Sequence, residues 1–331
     1  MNSAIIITGV SALQFWLYYS NNKYFERVSL PKNINVLNSA ASAKLAATAL
    51  GLSLPLCIAV PQDSCRHATK TVHYTNIGKH LPAYSIVCLK HAGNNMDIYI
   101  ASPEYCFLMF AAKLPLHLLI ELGNNLCASY AYDPKAELKQ SFREPVTNSL
   151  SIKQYVSAAT NNPGFRMAER AAKYLCDGSN SPMETKLAVM LVLPLFEGGY
   201  NLTGFEMNKK IILSRAAIES LGTESCCCDI VWGTECVVIE YDSNLTHLEV
   251  NQHQYDNAKS NALTNTGYIT FRFTSQDIKT FRSLESSFGL VRQALKRPSR
   301  NDRLQKYTDK RRKVFYDLFK SGDQVFNLRV L

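Results

Sequence analysis

The C-terminal half of the chain contains two short segments in which apolar residues follow the pattern of β-strands. Residues 226–231 and 236–241 are apolar runs separated by a turn that contains a glycine, and such runs predict two paired strands. In the second segment the two-residue period places Val238, Glu240 and Asp242 on one face of the strand. The two carboxylates would therefore project side by side, about 7 Å apart.

Two predicted helices frame these strands. Ser181 is a suitable N-cap, Pro182 suits the first helical position, and Glu184 completes a Ser-x-x-Glu capping box. A polar helix is predicted over 248–266, with Gly267 as its C-cap, and a final strand follows it. The whole stretch predicts the order α-β-β-β-α-β, which is typical of an α/β domain with a mixed central sheet flanked by helices.

Acidic residues stand at the ends of these otherwise apolar strands: Asp229, Glu240 and Asp242. Burying Glu240 between Ile239 and Tyr241 would be costly without a partner, so Glu240 is either a metal ligand or one half of a buried ion pair. Asp242 is either a second ligand or a residue that starts a turn. Hard divalent cations take oxygen ligands and can polarise a phosphodiester, so the three carboxylates predict a site for Mg²⁺ or Mn²⁺.

Three further residues have both a structural and a functional interpretation. Glu184 is explained by the capping box alone, but it could also hold a metal ion through water. His247 follows the second strand and is either an exposed loop residue or part of the site. Lys259 lies one helical turn after Asp256, and it either pairs with that residue on the surface or faces a phosphate.

In their order and spacing these motifs resemble the PD-(D/E)XK nuclease fold, in the branch related to very-short-patch-repair endonucleases. Proteins of that branch carry a Glu-x-Asp on the central strand, a nearby His, an Asp-x-x-Arg/Lys helix and a Gly-Tyr-x-x-x-Arg-Phe-Thr strand. The matching positions here are Glu240 and Asp242, His247, Asp256 and Lys259, and 267–274, together with the helix start at 181–184. The resemblance covers roughly a third of the chain.

The resemblance implies a metal-dependent endonuclease that hydrolyses nucleic-acid phosphodiesters, with DNA as the expected partner. It implies a catalytic set made of Glu184, Asp229, Glu240, Asp242, His247 and Lys259. Within that set Asp229, Glu240 and Asp242 would hold the metal ion, while Lys259 and Arg272 would contact the nucleic acid.

The chain departs from the family pattern at one position. The usual motif has a lysine two residues after the strand carboxylate, where it orients or activates water, and Asp242 holds that place here. His247, Lys259 and Lys186 are candidate substitutes, and a metal-bound water could also lose its proton without a protein base. The identity of the general base therefore stays open.

The N-terminal half carries a second resemblance. The segments 5–16, 73–75 and 101–111 resemble the AbiEi type of abortive-infection antitoxin, in which a Ser-Pro-Glu sequence starts a helix after a small β-rich region. Such proteins often carry a nuclease-like domain at the C-terminus, which implies a role in phage defence and a toxin or other defence-system partner. The alternatives are a non-catalytic antitoxin or DNA-binding regulator with a degenerate nuclease fold, and a pure interaction module.

The charge of the chain favours a polyanionic partner. The formal net charge is +9, and part of the excess lies after Pro298, where basic residues that include Arg311, Arg312 and Lys313 alternate with apolar ones. This pattern predicts a basic amphipathic helix. Its basic face is either simply solvated, or in contact with phosphate groups of a nucleic acid, or bound to a membrane surface.

The same observations predict the organisation of the chain. We expect an α+β N-terminal domain over 1–133, a helical connector over 134–180, the nuclease-like domain over 181–297 and the basic tail over 298–331. The ten cysteines show no pair of CxxC motifs, so we interpret them as reduced thiols of a cytoplasmic protein, with a thiol cluster beside the site as the alternative. The sequence does not indicate an oligomeric state.

One apolar segment near the N-terminus needs a separate interpretation. Residues 4–17 are apolar enough to resemble a targeting segment. They lack a basic flank and a convincing cleavage site, and they are too short to span a bilayer. We therefore predict a buried strand or helix there and no membrane partner.

Overall fold

The computed structural model shows a mixed α/β protein that divides into two compact units. Unit 1 runs to Leu175 and unit 2 begins at Cys176. The structure describes residues 3–19, 25–28, 35–60, 68–76, 81–89, 97–132, 140–242, 250–297 and 305–321. The mixed α/β class predicted from the sequence is confirmed.

Unit 1 is built on a mixed sheet with helices packed against it. Its strands are β1 Ser3–Ile7, β2 Glu26–Val28, β3 Asn35–Val36, β4 Leu56–Val60, β5 Val72–Asn76, β6 Ile86–Leu89 and β7 Asp97–Ala101, followed by the separate pair β8 Tyr130–Tyr132 and β9 Gln140–Phe142. Its helices are α1 Gly9–Tyr18, α2 Ala40–Leu50, α3 Pro103–Ala111, α4 Leu116–Leu126, α5 Ser149–Ser157 and α6 Phe165–Ala172. The main sheet has the order β2-β6-β7-β1-β4-β5, with β3 also paired to β1.

The first residues of unit 1 explain the apolar segment near the N-terminus. Strand β1 and most of helix α1 are buried, so the segment is a core strand that leads directly into a core helix. The helix predicted near Pro103 is also confirmed: Ser102 caps α3 by accepting a hydrogen bond from the Tyr105 amide. Helices α5 and α6, which lie in the expected connector, pack against α3 and α4.

Unit 2 carries the second sheet. Its elements are α7 Pro182–Val192, a short 3-10 turn at Leu195–Glu197, β10 Glu206–Ile212, α8 Arg215–Leu221, β11 Ser225–Trp232, β12 Val237–Asp242, α9 Val250–Asn265, β13 Ile269–Thr274, α10 Phe281–Ala294 and α11 Thr308–Phe319. The sheet order is β10-β11-β12-β13. The β10–β11 and β11–β12 pairs are antiparallel and the β12–β13 pair is parallel, so the sheet is mixed as predicted.

The predicted element order missed helix α8, which lies between β10 and β11. Its boundaries carry ordinary end signals: the Ser214 side chain accepts from the Ala217 amide, and Gly222 ends the helix with a φ of +76°. Glycine suits that position because left-handed backbone conformations are strained for residues with a Cβ. The order in unit 2 is therefore α-β-α-β-β-α-β, followed by α10 and α11.

The sheet of unit 2 is covered by helices on both faces. On one face α8 and α9 form an apolar core with the sheet, composed of Ile211, Leu213, Ala217, Cys226, Cys228, Val231, Val238, Ala262 and Leu263. On the other face Phe273 of β13 packs against Phe288 of α10, with ring centroids 5.3 Å apart. Among the described helices, none has the length and apolar character needed to cross a bilayer.

Candidate active site

Glu184 is held at the start of α7 by hydrogen bonds from three directions. The Ser181 side chain accepts from the Glu184 amide at 3.2 Å, as the capping box predicts. The carboxylate reaches back to the Asn180 amide at 2.9 Å and accepts from the Asn208 side chain of β10 at 2.6 Å. Burial raises the pKa of Glu184 above its ordinary value, and the negative charge of Glu240 also raises it. The hydrogen bonds lower the pKa but do not outweigh burial.

Asp229 lies on β11 beside the second carboxylate strand. Its Oδ2 accepts a hydrogen bond of 2.7 Å from the Tyr241 amide of β12. Burial, together with the negative charges of Glu240 and Glu184, raises the pKa of Asp229 to about 8. Asp229 therefore holds its proton more strongly than an ordinary aspartate, and protonation of Asp229 relieves the repulsion among the three acidic groups.

Glu240 forms an ion pair with Lys259 of α9. The Lys259 Nζ lies 2.8 Å from the Glu240 Oε1, and the two side chains are only 19% and 16% exposed respectively. This oxygen is buried. Burial lowers the pKa of Lys259, but the attraction of Glu240 outweighs burial and raises it.

The structure therefore brings four of the predicted residues into one cluster, which we call the carboxylate cluster: Glu184, Asp229, Glu240 and Lys259. Three separate elements and the crossover helix contribute to it. Strands β12 and β13 are parallel, and helix α9 forms the crossover between them. Lys259 on this helix therefore contacts Glu240 on β12, which lies 19 positions earlier in the sequence. The cluster therefore consists of three acidic side chains and one lysine.

The remaining predicted residues fall into two groups. Asp242 lies two positions after Glu240 on an uninterrupted ladder, and hence on the same sheet face as expected. It is half-buried, and its charge contributes to the raised pKa of Tyr241, after burial. Arg272 of β13 is the ladder partner of Glu240 and is exposed. His247 and the side chain of Asp256 lie outside the described residues.

Sequence reasoning missed Asn208, which holds Glu184 of the cluster and connects it to the segment before α7. Its amide nitrogen donates to Glu184 and to the Gly178 carbonyl at 3.0 Å, and its side-chain oxygen accepts from Asn180 at 2.6 Å. Its φ is +47°, a conformation that asparagine adopts more readily than most residues with a Cβ. The one available signal in the sequence is an asparagine within a strand, where this residue type is depleted.

The donor chemistry of the cluster suits a hard divalent cation, because it consists of carboxylate oxygens. Among the residues that the structure describes, however, no group of three or more His, Cys, Asp or Glu side chains is arranged to hold a metal ion. The amine of Lys259 stands beside Glu240 instead. The centre of Asp229, Glu240 and Asp242 with Mg²⁺ or Mn²⁺ therefore stays a prediction.

A pair of thiols borders the cluster on β11. The Cys226 and Cys228 sulfurs are 3.9 Å apart, and the nine cysteines that lie in the described residues are free thiols. Burial raises the pKa of Cys228 far above its usual value, and the nearby Glu240 adds to the effect. A thiol of this kind is neutral and unreactive at physiological pH.

The basic helix α11 agrees with the predicted amphipathic pattern, with one correction. Val314, Phe315 and Leu318 are buried, and α11 packs against α7 and α10. Arg312 and Lys313 are exposed, whereas Arg311 is only 1% exposed. Arg311 was expected on the basic face in contact with nucleic acid, but its guanidinium points into unit 2.

The reason for the buried position of Arg311 is a set of specific partners. The Arg311 Nε lies 2.8 Å from the Glu285 carboxylate of α10, and its Nη2 donates to the Thr308 hydroxyl at 3.2 Å. The guanidinium also lies over the Tyr200 ring, 5.6 Å from the centroid. Arg311 is therefore a structural residue of unit 2.

Comparisons with known proteins add no further assignment. No protein-family model, curated protein or solved structure matches the chain.

The raised pKa of Asp229 predicts an unusual dependence of stability on pH. An unfolded aspartate titrates near pH 3.9, so between about pH 4 and pH 8 the folded protein keeps a proton that the unfolded chain releases, and stability falls as pH rises. Asp229→Asn removes this penalty. We expect urea titrations to show that the stability advantage of the variant over wild type grows by roughly 2–4 kcal/mol from pH 5 to pH 8.

Asp277 provides the control for that measurement. Burial raises its pKa, but hydrogen bonds from Ser287 and Thr274 outweigh burial and lower the pKa below its ordinary value. The stability that the ionised Asp277 contributes is complete above the pKa of an aspartate in the unfolded chain, and it is lost only in acid. The difference between Asp277→Asn and wild type should thus stay constant over the same pH range, and a constant difference for Asp229→Asn as well would contradict the proposed environment of Asp229.

Proposed function

We propose that unit 2 is a metal-dependent nuclease domain that hydrolyses phosphodiesters of nucleic acid, with DNA as the substrate. The observation that carries the proposal is the clustering of Glu184, Asp229 and Glu240 around Lys259. Three buried or half-buried acidic groups that repel one another destabilise the fold unless a cation compensates them. Such a costly arrangement is typical of functional sites.

The proposed roles follow from chemistry and position. Glu240, Asp229 and Asp242 would hold Mg²⁺ or Mn²⁺, and Glu184 would contribute through water. The ion would supply Lewis-acid polarisation of the phosphate and a more acidic water. Lys259 is close enough to the carboxylates to orient a water or to contact a phosphate oxygen, and Arg272 is exposed beside Glu240.

The mixed sheet with helices on both faces agrees with the restriction-endonuclease-like fold that the sequence motifs imply. Support for the finer assignment comes from positions: the candidate carboxylates lie on a helix start and on two adjacent strands, and the candidate lysine lies on the helix that follows. This arrangement places a lysine near the carboxylates although the motif position itself is occupied by Asp242.

A second candidate function is favoured by the same ion pair. Lys259 neutralises Glu240 within the protein, and the hydrogen bonds of Glu184 account for that residue without any ligand. A degenerate nuclease domain that binds DNA but does not cut it, as in an AbiEi-like antitoxin with a toxin or other defence-system partner, would have this arrangement. The protein would then act as a regulator.

Plasmid nicking distinguishes the two functions. Supercoiled DNA is incubated with the full-length protein in Mg²⁺, in Mn²⁺ and in EDTA, and single-stranded DNA and RNA are tested in parallel. The nuclease proposal expects nicked or linear products with at least one of the two ions and none in EDTA. Tight DNA binding without cleavage under any condition would contradict it and support the regulator.

Helix α11 is the proposed contact to the DNA backbone. The exposed Arg312 and Lys313 pair with Asp309 and Asp317 of the same helix. Ion pairs with a solvent-exposed cation contribute little to stability, so both side chains can turn to phosphate groups instead. In Arg312→Ala/Lys313→Ala, the slope of log affinity against log salt should become shallower by about 0.9 for each phosphate that the helix no longer neutralises. The affinity should fall by a similar factor for all DNA sequences, because phosphate contacts carry no sequence information.

Arg215→Ala is the matched control for this experiment. Arg215 is an exposed arginine of unit 2 and pairs with Glu219 one turn away on α8. An unchanged salt slope in Arg312→Ala/Lys313→Ala, or an equal change in Arg215→Ala, would show that the basic face of α11 is only solvated.

A further inference from the structure

Unit 1 contains a cavity that the proposed cleavage of DNA does not use. Its volume is about 1010 Å³, which is at the upper end of the range for small-molecule sites. The walls come from the turn between β1 and α1, from β4 and β5, from the end of α3 and from the segment before α6. Every lining residue belongs to unit 1.

The N-terminus of helix α1 forms part of the cavity wall. Gly9, Val10 and Ser11, the first three residues of this ten-residue helix, line the cavity. The Thr8 side chain does not cap the helix, because its hydroxyl donates to the Met109 sulfur at 3.3 Å, and the first turn contains no acidic residue. The backbone N–H groups of such a turn attract anions.

The charges around the cavity have the same preference. Lys113 and His73 are among the lining residues, and no aspartate or glutamate is among the lining residues that the structure describes. The electrostatic environment of the cavity therefore favours a negatively charged ligand.

Part of the wall is apolar and aromatic. Leu54, Tyr74, Tyr105, Leu108 and Phe110 line it. A purely inorganic anion would leave this surface in contact with water, whereas a ligand with an apolar body would cover it and gain the corresponding transfer free energy. The cavity thus combines basic groups and a helix N-terminus with an apolar, partly aromatic surface.

We propose that unit 1 binds a small organic anion, a molecule with a carboxylate or phosphate group on an apolar body about the size of a fused ring. The anionic group would lie at the N-terminus of α1 near Lys113, and the apolar body would lie against the aromatic wall. This proposal does not depend on the nuclease proposal, since the two sites lie in different units.

Two fluorescent probes with the same apolar body test the proposal on the full chain. Anilinonaphthalene sulfonate carries a negative charge and phenylnaphthylamine does not. We expect one sulfonate molecule to bind per chain, and the neutral probe to bind at least tenfold more weakly. Naphthaleneacetate and naphthyl phosphate should displace the sulfonate, and the stronger competitor identifies the preferred anionic group.

Three variants test whether the probe binds in the cavity. Lys113→Glu should weaken sulfonate binding about tenfold, because it reverses the charge at the anionic end. Lys153→Glu makes the same change at an exposed position of α5 that does not line the cavity, and it should have no effect. Ser53→Trp fills the cavity from an exposed lining position and should weaken both probes.

Several outcomes would overturn the proposal. Equal affinity for the two probes would remove the anionic preference. Equal effects of Lys113→Glu and Lys153→Glu, or full binding by Ser53→Trp, would place the probe elsewhere. Anilinonaphthalene sulfonate fluorescence that rises with probe concentration and never saturates would show non-specific binding. Thermal melts of each variant identify any loss of folding, and Ser53 and Lys113 are both exposed, so their replacement should leave the core unchanged.

Discussion

Glu240→Gln is expected to reduce metal-dependent cleavage by roughly a thousandfold or more, because the substitution keeps the size of the side chain but removes the charge that a divalent cation requires. The measurement is plasmid nicking in Mg²⁺ and Mn²⁺. Glu206→Gln is the control, since Glu206 is an exposed glutamate of strand β10 in the same sheet and pairs only with Lys209 among the ion pairs of the described residues.

The structure adds a complication that the sequence did not show. Glu240→Gln leaves Lys259 without its partner in a largely buried position, and removal of one member of such a pair destabilises a protein by about 2–4 kcal/mol. A loss of cleavage could therefore follow from a loss of folding. Urea titration of each variant must accompany the activity measurement.

The double variant Glu240→Gln/Lys259→Met separates the two causes. It removes both charges, so it should recover most of the stability that the single variant lacks. If Glu240, Lys259 or both are catalytic, cleavage stays absent in the stable double variant. If the ion pair is only structural, the double variant cleaves as wild type does, and this result would contradict the proposed catalytic role of Glu240.

Arg311→Ala is expected to destabilise the protein by about 2–4 kcal/mol, through loss of the ion pair with Glu285 and of the packing on Tyr200. Arg312→Ala, one position further along the same helix, removes an exposed side chain and should change stability by no more than about 0.5 kcal/mol. Thermal or urea unfolding measures both. The two neighbouring arginines thus serve as a matched pair.

Arg311→Met gives the internal check on the mechanism. Methionine retains an unbranched stem that can pack on Tyr200 but lacks the charge. It should lose less stability than alanine, because part of the arginine contribution is burial of the aliphatic stem. Equal stability of Arg311→Ala and wild type would mean that α11 does not depend on this contact for its docking.

Much of the second sheet could be predicted from local patterns. The alternation of side chains in β12 correctly placed Glu240 and Asp242 on one face, and Ser181 correctly marked the start of α7. Both features depend on residues close together in the sequence, where propensity and period are informative. The short helix α8 carries similar local signals, an N-cap at Ser214 and a C-cap at Gly222. The sequence prediction nevertheless missed this helix.

The contacts of the cluster could not be predicted in the same way. The partner of Lys259 is Glu240 on a different element, whereas sequence spacing suggested Asp256 on the same helix. Asn208 reaches Glu184 across 24 positions. The pKa of Asp229 depends on how closely three distant segments approach one another. Such distances are set by tertiary packing, which a single sequence does not specify by pattern.

The burial of Arg311 shows a related limit. A run of basic residues indicates that a helix has a charged side, but helical period alone does not show which lysine or arginine faces a carboxylate on a neighbouring helix. In α11 the position of Arg311 follows that of the buried Val314, Phe315 and Leu318, because residues three and four apart share one side of a helix. The apolar positions were therefore the better guide.

The docking of α11 has a practical consequence for dissecting this protein into fragments. A boundary near residue 298, where the basic composition begins, would cut off the helix whose Phe315 packs against Phe281 and Phe319. It would also leave Glu285 without Arg311. A shortened fragment would expose an aromatic surface and aggregate for reasons unrelated to chemistry at Glu240. A fragment that begins at Cys176 and retains α11 follows the division of the fold itself.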